Sequence, residues 1–81
     1  MRVHLTEQFL AQFDAAEISV QKAVTKQLRL LAASVRHPSL HAKKYDEGSD
    51  VWQARINRRW RFYFLIQKDV YRIIEMKAHP K

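Results

Sequence analysis

The chain has no cysteine and a single glycine, Gly48, among its 81 residues. Without cysteine there are no disulfides and no thiolate-ligated zinc, and nothing in the composition requires an oxidising compartment. One glycine cannot build the Gly-rich loop that cradles a nucleotide's phosphates, so the familiar nucleotide-binding motifs are excluded. Long hydrophobic runs are missing too. The longest wholly apolar-aromatic stretch, Phe62 to Ile66, is far short of the roughly 20 residues that cross a bilayer. The opening Met1-Arg2-Val3-His4-Leu5-Thr6 lacks the apolar core of a secretory signal. A cytosolic protein with no membrane partner is therefore expected. The last shortage is of acid: eight Asp and Glu stand against fifteen Lys and Arg, a formal charge of +7.

That charge is unevenly spread. Before Arg36, four basic residues (Arg2, Lys22, Lys26, Arg29) meet three acidic ones (Glu7, Asp14, Glu17). From Arg36 onward eleven basic residues meet only Asp46, Glu47, Asp50, Asp69 and Glu75, a net of +6. A half-chain so biased attracts polyanions such as nucleic acid, or an acidic protein. The plain alternative is a basic, soluble surface with no dedicated partner. With 47% hydrophobic and 28% charged residues, the composition is that of a soluble globular chain, and residues 1–81 are expected to form one domain around one small core.

Along the chain, Val3 and Leu5 alternate in a short segment, Arg2 to Leu5, that reads as a first strand. Thr6 is a suitable helix N-cap, and Glu7 favours the first turn. Phe9, Leu10 and Phe13 then mark an apolar helical face. No Gly or Pro interrupts Thr6 to Arg36, yet one helix of that length would run about 45 Å, too long for so small a domain to bury. A turn near Asp14-Ala15-Ala16-Glu17 making a helical hairpin is expected instead. The second helix carries Val20, Val24, Leu28, Leu31 and Val35 on one stripe, with Lys22, Lys26 and Arg29 on another face. His37-Pro38 ends it. Beyond the turn-rich Asp46-Glu47-Gly48-Ser49-Asp50 the period switches to two. The order β-α-α-β-β-β predicts an α+β domain: a small antiparallel sheet with a helical hairpin on one face.

The segment Val51 to Ile66 fixes its own register. With Asn57-Arg58-Arg59 as a three-residue loop, Ile56 pairs with Trp60, and Trp52, Ala54, Ile56, Trp60, Phe62, Phe64 and Ile66 share a core face. A two-residue loop would mix Arg55 with Phe62 and Phe64, and a slip of one residue reverses every side chain. The chosen register sets Arg55 directly opposite Arg61, a like-charge pair that is destabilising by about 0.2–1 kcal/mol. A second three-residue turn, Gln67 to Asp69, is expected to put Val70, Arg72, Ile74 and Met76 on the core face. Glu75, Lys77 and His79 would then join the polar face, with Glu75 opposite Arg61.

On that face Arg55, Arg61, Tyr63, Glu75, Lys77 and His79 come together, with Lys43 and Lys44 arriving from the preceding loop. Guanidinium groups grip phosphate through paired donors, and imidazole titrates near neutrality. Such a set can hold a phosphate, stabilise charge on it and move protons without a metal. The simpler alternative pairs Glu75 with Arg61 and leaves the remaining cations to solvent. His37 and His41 have no carboxylate at a ligand-like spacing, and Ser34, Ser39 and Ser49 have no evident base. No metal or other cofactor is expected.

The element order, together with Pro38-x-Leu40-x-x-Lys43-Lys44, Trp52-x-x-Arg55-Ile56-Asn57, Trp60-Arg61-Phe62-x-Phe64 and Lys77-Ala78-His79, resembles the RelE/ParE superfamily of bacterial toxin–antitoxin toxins. The Arg-Ile-Asn segment and the C-terminal His are most similar to the RelE and YoeB branch. That resemblance implies a metal-independent endoribonuclease that cuts mRNA in the ribosomal A site by 2′-OH attack and leaves a 2′,3′-cyclic phosphate. It makes Arg55 and Arg61 the phosphate-gripping arginines and His79 the acid or base. Lys43, Lys44 and His41 become RNA-binding residues, joined on the polar face by Tyr63 and Lys77. Glu75 is a candidate substitute base, since the loop His37 to Lys44 lacks the glutamate found in the YoeB-like branch. Pro80-Lys81 follow the histidine where that branch ends in tyrosine, leaving Tyr63 or Tyr45 to stack on a base. The implied partners are a cognate antitoxin with an acidic segment, the ribosome and mRNA, with a higher-order toxin–antitoxin complex. Two alternatives stay open: a ParE-like toxin that poisons DNA gyrase through its helices, and a catalytically degenerate antitoxin-binding corepressor.

Overall fold

Seven elements are formed in the computed structural model, which describes residues 1–46 and 48–78. They are β1 (Arg2–Leu5), α1 (Glu7–Ala15), α2 (Ile18–Ala33), β2 (Lys43–Lys44), β3 (Val51–Arg55), β4 (Trp60–Gln67) and β5 (Val70–Ala78), with a single 3-10 turn at Pro38–Leu40 before β2. Thr6 joins sheet to helix: its Oγ1 accepts from the Phe9 N–H at 3.3 Å and donates to the Ile73 carbonyl at 2.8 Å. The helical hairpin breaks at Ala16 and Glu17, within the expected turn. The longest dimension of the molecule is 31 Å, so an unbroken helix from Thr6 to Arg36 would have projected from it. α2 stops three residues short of Arg36, because extended Ser34 takes over and its Oγ accepts from the Arg36 N–H at 3.1 Å.

The α+β class and the two-helix layer are as the sequence predicts, but the sheet is mixed rather than wholly antiparallel. Its order is β1-β5-β4-β3-β2. The helical crossover returns β1 beside β5 in the same direction, Arg2 facing Val70 and Leu5 facing Ile73. The two-residue β2 adds an antiparallel edge to β3. Phe9, Val24, Leu31, Leu40, Phe62, Phe64 and Ile73 are fully buried between helices and sheet. Each such side chain contributes about 1.5–3 kcal/mol by leaving water.

The β3–β4 register is the expected one, with Ala54 opposite Phe62, Arg55 opposite Arg61, and the Ile56 N–H donating to the Trp60 carbonyl at 2.9 Å. Ile66, expected in the core, is 36% exposed; it stands at the sheet margin, one residue before the next turn. That turn is where the structure departs from the sequence reading. Only Lys68 and Asp69 turn, with Lys68 at φ 55°, so Gln67 pairs with Val70. Tyr71 and Ile73 then fill the core in place of Val70 and Arg72, and Arg72 lies exposed on the other face. Between Tyr63 and Phe64 the pairing skips Ile74 as a bulge, which restores Met76 to the core and sets Glu75 opposite Tyr63. The Met76 N–H beside the bulge donates to Gln12 Oε1 of α1 at 2.7 Å.

Candidate nucleic-acid interface

The helices cover one face of the sheet, and the other is open. Side chains on the open face fall into rungs across the strands. Lys43, Gln53, Tyr63 and Glu75 make one; Arg55, Arg61 and Lys77 make the next. The bulge that moves Glu75 to the Tyr63 rung corrects the expectation that it faces Arg61. Lys77 takes that place, so three cations stand in a row. Glu75 is instead 3.8 Å from the Lys77 ammonium. Among the described residues neither Arg55 nor Arg61 has a carboxylate partner.

Each arginine is held differently. Asn57 organises the hairpin loop, its Oδ1 accepting from the N–H groups of Arg59 and Trp60, both at 2.9 Å. The Arg61 Nη1 folds back onto that loop and donates to the carbonyls of Asn57 at 2.8 Å and Trp60 at 3.0 Å. Burial, and then the charge of Arg55, push the Arg61 pKa below its ordinary value, with Tyr63 acting the other way. Arg55 is anchored through its backbone: its carbonyl accepts from Gln27 Nε2 of α2 at 2.9 Å. Among the described residues its Nε is buried without a hydrogen-bond partner, and a buried unpaired donor is costly. Beside it a cleft of about 400 Å³ is walled by His41, Lys43, Gln53, Arg55 and Arg61, with Ala42 and Ala54 leaving the space open. His41 ends the 3-10 turn in the left-handed region, φ 47° and ψ 42°, a conformation that non-glycine residues hold at a cost of about 1–3 kcal/mol.

Four sequence-predicted residues therefore meet in the cleft: Arg55, Arg61, Lys43 and His41. Lys44 does not. It pairs with Trp52, whose side chain belongs to the core face, so strand alternation turns Lys44 away from Lys43. Lys77 sits 5.7 Å over the ring of Tyr63, and Tyr63 is only 8% exposed. Burial pushes the Tyr63 phenol up, helped by Tyr45 and Glu75 and opposed by Lys77 and Arg61. His79 lies outside the described residues. Among the described residues no group of three metal-ligating side chains assembles. Two site residues escaped the sequence reading. Gln53 alternates on the open face of β3, as any polar strand residue would. Gln27 carried a signal: with Val20, Val24 and Leu31 it follows steps of three and four on α2, a polar residue at an apolar position.

No protein-family model and no curated protein matches the sequence. Solved structures do. A YoeB/ParE toxin from Agrobacterium tumefaciens superimposes with a TM-score of 0.80 at 11% identity, covering 99% of this chain and 100% of that one. The archaeal RelE of a RelE–RelB complex from Pyrococcus horikoshii gives 0.79 at 16% identity, over 95% and 92%. A heterotetrameric YoeB–YefM toxin–antitoxin complex from Staphylococcus aureus gives 0.77 at 13%, over 99% and 98%. The chain thus has the fold of the RelE, YoeB and ParE toxins along essentially its whole length.

Proposed function

We propose that the protein is the toxin of a toxin–antitoxin pair and cleaves ribosome-bound mRNA without a metal ion. The observation that carries this reading is the cleft in which Arg55, whose buried Nε has no partner among the described residues, faces Arg61 beside His41 and Lys43. Like charges kept in opposition, with no carboxylate between them among the described residues, suit an anion. A phosphate on Arg55 supplies the missing acceptor and offsets the repulsion. The ribose 2′-oxygen attacks the adjacent phosphorus as its proton passes to a base. The bond from phosphorus to the 5′-oxygen breaks, and that oxygen takes a proton. The products are a 2′,3′-cyclic phosphate and a 5′-hydroxyl. Guanidinium charge aimed at the pentavalent phosphate contributes about 10²–10³ in rate per group. Proton transfer belongs to an imidazole: His79 by family resemblance, His41 by its position on the cleft wall. Cleavage by His41→Ala and by His79→Ala, each compared with the wild type, identifies which.

The antitoxin partner is supported by the folds in the RelE–RelB and YoeB–YefM complexes. An acidic segment suits the basic half of the chain. A second reading, gyrase poisoning through the helices, is favoured by one feature, an open groove on the helical hairpin. It is bordered by Phe13, Ile18, Lys22, Lys26 and Arg29. Inducible expression of the wild type and of Arg55→Ala, with mRNA 5′ ends mapped, decides between them. New 5′ ends within translated codons, lost in Arg55→Ala, support the nuclease. Growth arrest with intact mRNA and broken DNA sinks it in favour of the gyrase reading.

A further inference from the structure

The open face of the sheet carries a second set of cations that the phosphate cleft does not use. Parallel pairing of β1 with β5 sets His4 beside Arg72, and Leu65 of β4 completes that rung; Arg2, Val70 and Gln67 form the next. Val3 and Leu5 alternate toward the core with their partners Tyr71 and Ile73. Arg2, His4 and Arg72 therefore share the face of Arg55 and Arg61, and all three are exposed. Together with exposed Lys68 they border an open depression of about 440 Å³ at the β4–β5 turn.

Three fixed positive charges, Arg2, Lys68 and Arg72, meet one carboxylate there, Asp69, which lies 3.6 Å from the Arg2 guanidinium. Lys68 and Arg72 have no carboxylate partner among the described residues. The turn itself favours a use for the charge. Lys68 takes its first position at φ 55°, where glycine sits without steric cost and any other residue is strained. Four residues of β4 separate Arg61 from Leu65, about 13 Å along the strand. The step from β3 and β4 to β5 and β1 crosses two strand spacings, about 10 Å. The cleft and the depression thus lie about 16 Å apart on one face. Glu75 stands between them, 3.8 Å from the Lys77 ammonium that offsets its charge. A stacked strand rises about 3.4 Å per nucleotide, so roughly five nucleotides join the two places.

We infer that Arg2, Lys68 and Arg72, with His4 beside them, form a second phosphate-binding site, which grips the RNA strand held in the cleft about five nucleotides away. This rests on the nucleic-acid reading of the cleft. The second site adds affinity without reading bases and fixes the line along which the strand crosses the sheet. Contacts to phosphate position a strand and carry no sequence information.

The test measures binding of two single-stranded RNAs methylated at their 2′-oxygens, so that neither can be cut. A trinucleotide reaches the cleft alone, and a decanucleotide reaches both sites; NMR titration reads even the weaker binding. The double variant Lys68→Gly/Arg72→Gln should flatten the decanucleotide's slope of log K against log salt by about 1.4, at about 0.7 for each of two phosphates. Between about 50 and 200 mM salt its affinity should then fall about 7-fold less than that of the wild type. Trinucleotide binding should be unaffected. Lys68→Gly alone should raise the melting temperature while weakening the decanucleotide, so unfolding cannot account for the loss. Asp69→Asn, which releases Arg2, should tighten decanucleotide binding only. An unchanged decanucleotide slope in the double variant overturns the second site, as does equal flattening for both lengths. A loss confined to duplex RNA, tested alongside, also overturns it, since the phosphates then come from a structured RNA and not from the strand in the cleft. In each of these cases weakening of both single strands by Arg55→Ala leaves the cleft reading intact. Wild type that binds neither strand overturns both.

Discussion

At the residue scale, the side chain that best explains the cleft is an uncharged one. Gln27 is 4% exposed, and its Nε2 bridges the carbonyls of Ser39, at 3.2 Å, and Arg55, at 2.9 Å. It ties the loop carrying His41 and the end of β3 to the same turn of α2. Gln27→Leu keeps the bulk but strands two carbonyls, and is expected to lower stability by about 1–3 kcal/mol. Cleavage should fall further than the unfolded fraction explains, because Arg55 loses its anchor. Denaturant titration beside a cleavage assay on the same samples checks both. Gln27 was legible as a polar interruption of an apolar stripe, although its partners, twelve and twenty-eight residues away, were not. Nothing in the sequence marks the left-handed backbone of His41. Tyr63 supplies a pH test. Its pKa is raised by burial first, then by Tyr45 and Glu75, against Lys77 and Arg61. A folded pKa above the unfolded value means that the unfolded chain releases this proton first as pH rises. The stabilisation is therefore complete below roughly pH 10, the ordinary phenol value, and is lost as pH climbs through the raised one. In Tyr63→Phe the alkaline fall of the melting temperature should be shallower, while an unchanged slope would deny the phenol this role.

At the element scale, the two β-turns of the C-terminal half show what alternation can fix. Trp52, Ala54 and Ile56 face Trp60, Phe62 and Phe64, and the residues between them are Gln53, Arg55, Arg61 and Tyr63. Only one parity makes a core, so the β3–β4 register could be derived. In β5, Val70, Tyr71, Ile73, Ile74 and Met76 are apolar at both parities, so hydrophobic pattern could not choose a register. The bulge at Ile74 changes parity within the strand, and Gln12 from α1 secures the freed Met76 N–H. Such a long-range contact has no local signature. The β3–β4 hairpin carries a prediction because opposing effects act on it. Arg61→Gln removes donors from the Asn57 and Trp60 carbonyls, at about 0.5–1.5 kcal/mol per hydrogen bond. It also abolishes the repulsion with Arg55, worth about 0.2–1 kcal/mol. The two lost bonds outweigh the relieved repulsion, and a net loss of about 1–2 kcal/mol in unfolding free energy is expected. Cleavage should drop further than that explains, by about 10²–10³-fold. A still larger loss of stability, or activity near the wild-type rate, would mean that Arg61 is only the clasp of its own loop.

At the scale of the whole molecule, the formal charge of +7 is divided by the sheet into two populations. Lys22, Lys26 and Arg29 belong to the helical layer and border a groove of their own. Arg55, Arg61, Lys43 and Lys77 share the open face. The sequence revealed the bias toward the C-terminal half but not that the fold would place a two-layer core between the populations. This separation makes the electrostatics testable. Each phosphate neutralised on a single strand contributes about −0.7 to the slope of log K against log salt. If about three phosphates engage the open face, a slope near −2 is expected for RNA binding. Arg55→Ala should make it shallower by about 0.7. Charge reversal of Lys22 and Lys26 should leave it nearly unchanged, because screening over about 8–10 Å shields the open face from the helical one at physiological salt. Equal effects from both faces would make the binding a property of net charge, and the cleft would lose its claim to be the site. Binding by the cleft also implies linkage to folding: RNA at a hundredfold excess over its dissociation constant should stabilise the protein by about 2.7 kcal/mol, and Arg55→Ala should reduce that gain at the same RNA concentration even where its own unfolding is unaltered.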